Sequence, residues 1–150
     1  MSDPPIQLPP VEEQLCFALY STAMEMARAY KAALDPFSLT YPQYLVLQLL
    51  WQMDGQRIGQ LATRLLLEPS TITPLIKRLE KSGLVVRTRE SSDERQVLVR
   101  LTDKGRMLQS VVPCINETLL AHTGLSAQDV AALTQKLQNM RQVLSESSRS

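Results

Sequence analysis

Between residues 58 and 101 the spacing of apolar residues changes from three or four to two, and this change of period constrains the fold more than any other feature. Ile58, Leu61, Ala62 and Leu65 fall on one helical face, and Glu68-Pro69-Ser70 interrupts it. Ile72, Leu75, Ile76 and Leu79 then resume on a second helix, for which Ser70 is a fitting N-cap and Gly83 a C-terminal cap. Pro74 should cost that helix one early backbone hydrogen bond and leave its first turn short or irregular. Residues 84–89 and 96–101 then read as two short strands, with Val97, Val99 and Leu101 alternating against Leu98 and Arg100. Residues 90–95 between them form a polar tip with nothing to bury.

The flanks are helical. Residues 1–10 hold four of the nine prolines and are expected to form an extended, flexible arm. Leu15, Leu19, Ala23, Met26, Tyr30 and Leu34 mark one stripe from Val11 onward, stopped by Asp35-Pro36. Thr40 and Gln43 fit a capping box for a second helix, with Tyr41-Pro42 in its first turn. Leu45, Leu49 and Trp51 make that helix apolar on most sides, so it should be central, and Asp54-Gly55 is a turn. Beyond the strands, Thr102 caps a helix expected to run to about Ala121 with a kink at Pro113. A last helix follows Gly124-Leu-Ser126, with Val130, Leu133, Leu137, Met140 and Leu144 on its seam. The fold class is therefore mainly α with a small β wing: a winged helix-turn-helix over 41–102, its wing at 84–101, inside a single domain of residues 11–150. The outer helices, 11–35 and 103–147, carry apolar stripes far from the compact middle. A second copy of the chain is the economical cover for them, making a homodimer.

Composition narrows the classes. At 44% apolar and 21% charged residues the chain reads as a soluble globular protein, and no apolar run approaches the ~20 residues that cross a bilayer. The opening Met1-Ser-Asp-Pro-Pro has neither the basic nor the apolar region of a secretory leader, and two distant cysteines do not make a disulfide framework. A cytoplasmic location is expected, with no membrane partner. His122, the lone histidine, has no cluster of ligands at metal spacing, so neither a metal nor a cofactor is expected. Net charge is only +1, but residues 54–100 hold nine Lys/Arg against six Asp/Glu, while the rest holds seven against nine. A basic middle between acidic flanks suits a segment that meets phosphates.

A helix-turn-helix lays its second helix in the major groove of DNA. The outward face of that helix offers Ser70, Thr71, Thr73, Pro74, Lys77, Arg78 and Lys81, with small hydroxyls near its N-terminus, where free N–H groups suit phosphate. The wing adds Arg87, Arg89 and Arg95, the last placed near the tip to enter a narrow A·T minor groove. Asp93 is close enough in sequence to orient an arginine such as Arg87. A solvated basic face is the bland reading of any one of these charges; their coincidence with helix, turn, helix and wing favours double-stranded DNA as the partner.

The runs Leu61-Ala-Thr-Arg-Leu65, Ser70-Thr-Ile-Thr-Pro-Leu-Ile-Lys-Arg-Leu-Glu-Lys-Ser-Gly-Leu84 and Asp93-Glu-Arg-Gln-Val-Leu-Val-Arg-Leu-Thr-Asp-Lys-Gly105 resemble the MarR family over about residues 11–145. The resemblance implies a homodimeric winged-helix regulator, usually a repressor, on a pseudo-palindromic operator. Gln14-Leu-Cys-Phe-Ala-Leu-Tyr20, Tyr30-Lys31 and Leu39-Thr-Tyr-Pro-Gln-Tyr-Leu45 are similar to the organic-hydroperoxide-responsive branch, OhrR. That likeness implies that Cys16 is a redox-sensing thiol and that Tyr30 and Tyr41 donate to it from the other subunit. A thiolate cleaves a peroxide O–O bond to give a sulfenic acid that a second thiol can cap, and hydroxyl donors stabilise a thiolate. In two-cysteine members a distal cysteine resolves the sulfenic acid. Its match here would fall near 121–124, where the chain has none, which leaves Cys114 or a low-molecular-weight thiol on Cys16. Other MarR members respond to noncovalent small ligands, so a phenolic inducer is the alternative, and Tyr44 and Trp51 could line its pocket but read as core. No paired Thr/Arg constellation of a thiol peroxidase surrounds Cys16, so an enzyme is not expected.

Overall fold

The chain enters through a single 3-10 turn, Val11–Glu13, before helix α1 (Leu15–Leu34) begins. A computed structural model describes residues 7–112 and 114–149, so most of the proline-rich arm lies outside the described residues. Of the predicted α1 stripe only Tyr30 and Leu34 are buried, while Leu15, Phe17, Tyr20 and Met24 are exposed. Asp35–Phe37 form a second 3-10 turn, because Pro36 cannot continue the α ladder.

Helix α2 (Tyr41–Gln52) opens on the expected capping box: the Gln43 N–H donates to Thr40 Oγ1 at 3.3 Å and the Thr40 N–H to Gln43 Oε1 at 3.0 Å. It is the centre of the packing, burying Gln43, Tyr44, Val46, Leu47, Leu49 and Leu50. A two-residue strand β1 (Gln56–Arg57) leads directly into α3 (Ile58–Leu65). That helix ends on Leu66, a non-glycine residue at φ 57°. Helix α4 (Pro69–Lys81) starts two residues earlier than a cap at Ser70 predicts: Pro69, preset to helical φ, takes the first helical position and Glu68 the cap. Thr71 and Ile72 both donate to the Glu68 carbonyl, at 2.9 and 3.1 Å, so the first turn mixes 3-10 and α bonding. Pro74 lies inside the helix without ending it.

The sheet has three strands where the alternation predicts two. Strands β2 (Val85–Glu90) and β3 (Asp93–Leu101) make the wing hairpin, and β1 pairs with β3 on the other side, antiparallel throughout in the order β1-β3-β2. Two residues are too few to show a period, which is why β1 is silent in sequence. The strands also run further than predicted, leaving Ser91 and Ser92 as the turn.

After the wing, the single kinked helix expected over 102–121 is instead two, α5 (Asp103–Val111) and α6 (Ile115–Ala121). Pro113 itself is outside the described residues; a proline's missing N–H and its clash with the preceding turn account for a stop at this point. Helix α7 (Ala127–Ser147) begins on a capping box between Ser126 and Asp129. The chain divides into two compact units after Val112. The core of the first is Leu34, Val46, Leu47, Leu61, Ile72, Ile76, Leu79 and Val99, all fully buried. In the second, neither α6 nor α7 buries a residue. None of the described helices is long and apolar enough to cross a membrane.

Candidate nucleic-acid interface and redox site

Helix α4 turns Ile72, Leu75, Ile76 and Leu79 inward, and this fixes what faces out: Ser70, Thr71, Pro74, Lys77, Arg78 and Lys81 are exposed. Thr73 is half-buried and donates its hydroxyl to the Pro69 carbonyl at 2.8 Å, so it is committed to its own helix. None of Lys77, Arg78 and Lys81 forms an ion pair among the described residues. The end of α4 is anchored. The N–H groups of Gly83 and Leu84 donate back to Glu80 and Leu79 at 2.9 and 3.0 Å, a Schellman motif that Gly83 permits at φ 75°. Lys104 Nζ reaches the Ser82 carbonyl at 2.9 Å, and the Thr102 N–H the Leu84 carbonyl at 3.0 Å.

Two arginine–carboxylate pairs brace the wing. The Arg87 N–H and Nε donate to Glu80 of α4 at 3.0 and 3.1 Å, holding the Glu80 carboxyl below its usual range. Arg87 is thus oriented by Glu80 and not by Asp93, because Asp93 lies at the far end of the hairpin, where its carboxylate accepts from the Arg95 N–H at 3.0 Å. Arg57 meets Glu90 side-on, Nε to Oε2 at 2.7 Å and Nη2 to Oε1 at 3.0 Å. Arg89 Nη1 donates to the Glu94 carbonyl at 3.3 Å. Arg95 is exposed, and its guanidinium has no hydrogen-bond or ion-pair partner among the described residues.

Tyr30 and Tyr41 come together, their ring centroids 4.2 Å apart. Burial raises the Tyr41 phenol above its ordinary value, with a smaller opposing effect from a hydrogen bond with Tyr30, so Tyr41 stays a neutral hydroxyl at physiological pH. A cavity of about 230 Å³ beside it is lined by Ala27, Lys31, Asp35, Leu39, Thr40 and Tyr41. Cys16 is exposed in the first turn of α1. Fourteen residues of the same helix separate it from Tyr30, about 21 Å at 1.5 Å per residue. The tyrosine pair is therefore out of reach of the Cys16 thiol of its own chain. Cys114 is exposed at the cap position of α6, not inside a helix.

The family described as transcriptional regulator SarA/Rot matches residues 28–111. The chain is 46% identical to the HTH-type transcriptional regulator TtmR of Methylorubrum extorquens over 89% of its own length and 69% of that protein's. It is 39% identical to the organic hydroperoxide resistance transcriptional regulator of Bacillus subtilis, over 89% and 91%. Among solved structures it is similar to AbfR of Staphylococcus epidermidis. Reduced AbfR on DNA superposes with a TM-score of 0.77 at 34% identity, covering 89% of this chain and 94% of that one. A disulfide-formed AbfR gives 0.65 at 33%, covering 93% of each. The chain belongs to the MarR-like family of winged-helix transcriptional regulators.

As a MarR-like regulator it carries a reading helix and wing whose braces the sequence only half discloses. Arg57 and Glu80 are the residues missed: each looks like a routine surface charge until the sheet and α4 set Arg57 opposite Glu90 and Glu80 opposite Arg87. Tyr44 is core, as its apolar surroundings in sequence indicate, whereas Trp51 is only half-buried. Tyr44 is 2% exposed, and Trp51 Nε1 donates to the Gly105 carbonyl at 2.9 Å. Among the described residues no group of three or more His, Cys, Asp or Glu side chains could hold a metal ion.

Proposed function

We propose that this regulator is a homodimeric, non-enzymatic repressor that binds a pseudo-palindromic operator and releases it when Cys16 is oxidised by an organic hydroperoxide. Ser70, Thr71, Pro74, Lys77 and Arg78 would meet the major groove, with Thr73 shaping the helix start, and Arg95 would enter the minor groove. Arg87 and Asp93 would hold the wing in place. Dimer symmetry would set the two reading helices ~34–36 Å apart, one turn of DNA.

The observation that carries the redox half is the contact between Tyr30 and Tyr41, about 21 Å along α1 from the thiol of their own chain. Two hydroxyls so placed would serve the Cys16 of a second copy, as when two α1 helices pair antiparallel. The exposed Leu15, Phe17, Tyr20 and Met24 give that pairing an apolar surface. The similarity to a Bacillus subtilis regulator named for organic hydroperoxide resistance, and to AbfR, solved in reduced and disulfide-formed states, supports the same reading.

In the reaction the Cys16 thiolate attacks one peroxide oxygen, the O–O bond breaks, and the departing alkoxide takes a proton to leave as the alcohol. Sulfur is oxidised to the sulfenic acid and the peroxide is reduced. A second thiol then displaces water to form a disulfide, the second thiol being Cys114 or a small cellular thiol. A packed interface with two discrete arrangements converts that modification into a shift of the reading heads.

The test is operator affinity before and after one equivalent of cumene hydroperoxide, for the natural protein and for Cys16→Ser. Release by the natural protein alone is expected. Release by Cys16→Ser as well would sink the thiol switch, and release by a phenolic compound irrespective of Cys16 would put a noncovalent inducer in its place. Intact, non-reducing mass analysis of the oxidised protein then separates a Cys16–Cys114 linkage from a thiol-capped chain.

A further inference from the structure

The wing is not a plain hairpin. From Val85↔Leu101 to Arg89↔Val97 the strands β2 and β3 hold one register, but the next pair is Glu90↔Asp93. Residues 94–96 therefore have no opposite number and are pushed out as a bulge. In an unslipped hairpin Glu90 would face Gln96, and Arg95 would lie in a five-residue loop. Here Arg95 sits on the bulge, its N–H fixed to Asp93 and its guanidinium outward, while Arg89 supports the bulge through the Glu94 carbonyl.

Glu90 stands at the slip on β2, and its side chain reaches Arg57 on β1, the strand on the other side of β3. The Arg57 backbone is itself held twice: in β1 it pairs with Leu98 of β3, and its N–H donates to Gln60 Oε1 at 2.8 Å at the start of α3. The two-point contact fixes direction as well as distance, which a lysine in place of Arg57 would not do. Hydrogen bonding from Arg57, foremost, holds the Glu90 carboxyl below its ordinary value, so the pair is ionised at neutral pH. The side chains are 43% and 20% exposed, and a pair so open to water contributes little to global stability. Its consequence is geometric.

We propose that Arg57 and Glu90 are positioning residues for DNA recognition: the pair fixes the register slip that presents Arg95, and so sets sequence preference at base pairs it never touches. This rests on the reading of Arg95 as a minor-groove contact. The preference involved is that of arginine for narrow A·T tracts.

The experiment uses the full chain and a duplex selected by the natural protein from a random pool, compared with a copy whose wing-facing A·T pairs are replaced by G·C. Arg95→Ala is expected to lose most of the discrimination between the two duplexes. Glu90→Gln should lose about 5- to 10-fold of it, with an unchanged melting midpoint, and adding Glu90→Gln to Arg95→Ala should cost nothing further. The swap Arg57→Glu with Glu90→Arg should restore much of the preference. If Arg95→Ala discriminates normally, the groove contact is wrong and the clamp goes with it. If Arg95→Ala loses discrimination while Glu90→Gln keeps it, the clamp alone is overturned. A Glu90→Gln protein that loses discrimination only by melting earlier would also overturn the positioning role.

Discussion

Helices α4 and α7 are both amphipathic in sequence, yet α4 buries four of its 13 residues and α7 none of its 21. The contrast teaches what an apolar stripe does and does not say. On α4, Ile72, Ile76 and Leu79 find α2, α3 and the sheet close by in the chain, and they are fully buried. On α7, Leu133, Val143 and Leu144 remain 46–61% exposed, and the first half of α1 is similar, with Leu15 at 63%. A stripe states that a face must be covered. It does not name the cover. Each such side chain is worth about 1.5–3 kcal/mol once fully buried, so leaving the whole seam in water is costly, and a second copy of the chain is the cover proposed here.

The largest effect should come from breaking that cover. Leu133→Glu combined with Leu144→Glu places charge on the α7 seam and leaves the reading arm's own core intact. Sedimentation velocity is expected to show a monomer, and operator affinity to fall by ~10²–10⁴, the gain that linking two binding heads provides. Near-native circular dichroism should accompany the loss. A variant that stays dimeric would mean that α7 faces something other than its counterpart.

The same contrast explains how much could be read from the sequence. Local features were plain: the capping box of Thr40 and Gln43, the glycine stop at Gly83, and the change of period at residue 84 each follow from a few adjacent side chains. Features made by distant residues were not. Strand β1 is two residues long and exists only because β3 is there to pair with it. Asp93 is the carboxylate near Arg87 along the hairpin sequence, whereas α4 brings Glu80 to Arg87 from the other side. Tyr30 and Tyr41 lie either side of a turn built by Pro36 and Ser38, and their ring contact depends on that turn. Sequence marks Pro113 but not where the helices on either side of it end, α5 at Val111 and α6 from Ile115.

A middling effect is expected where the reading arm meets α5. A methyl group added at Gly105 would lie 2.1 Å from the Leu84 carbonyl oxygen, a clash with backbone that no rotamer relieves. Gly105 also carries the carbonyl that Trp51 Nε1 bonds. Gly105→Ala should therefore destabilise by about 1–3 kcal/mol, the usual cost of overpacking, read by urea unfolding followed through the emission of Trp51. Because the strain falls on the Leu84 anchor at the end of α4, operator affinity should fall while α7 association persists. Unchanged stability would show that α5 can move away from the wing at little cost.

The smallest effect separates the two regions by pH. In the arm, Glu80 and Glu90 are held below the ordinary glutamate value of 4.5, chiefly by hydrogen bonds from Arg87 and Arg57. A carboxyl depressed in the folded state contributes stability that is fully present above its unfolded value and is lost as pH falls through the folded one. The difference in melting midpoint between the natural protein and Glu80→Gln should then be constant from pH 7 to about 5 and should shrink below 4.5, as the natural side chain becomes neutral too. Both clamps are open to solvent, so the difference should be a few degrees at most and should weaken in high salt. On α7, Asp129 is lowered by its Ser126 hydrogen bonds, from an ordinary value of 3.8, so its cap should persist to lower pH than the wing clamps feel the first loss. A difference that stays constant down to pH 3 would mean that Glu80 acts through its shape and not its charge, and that the arm and α7 respond to acid alike.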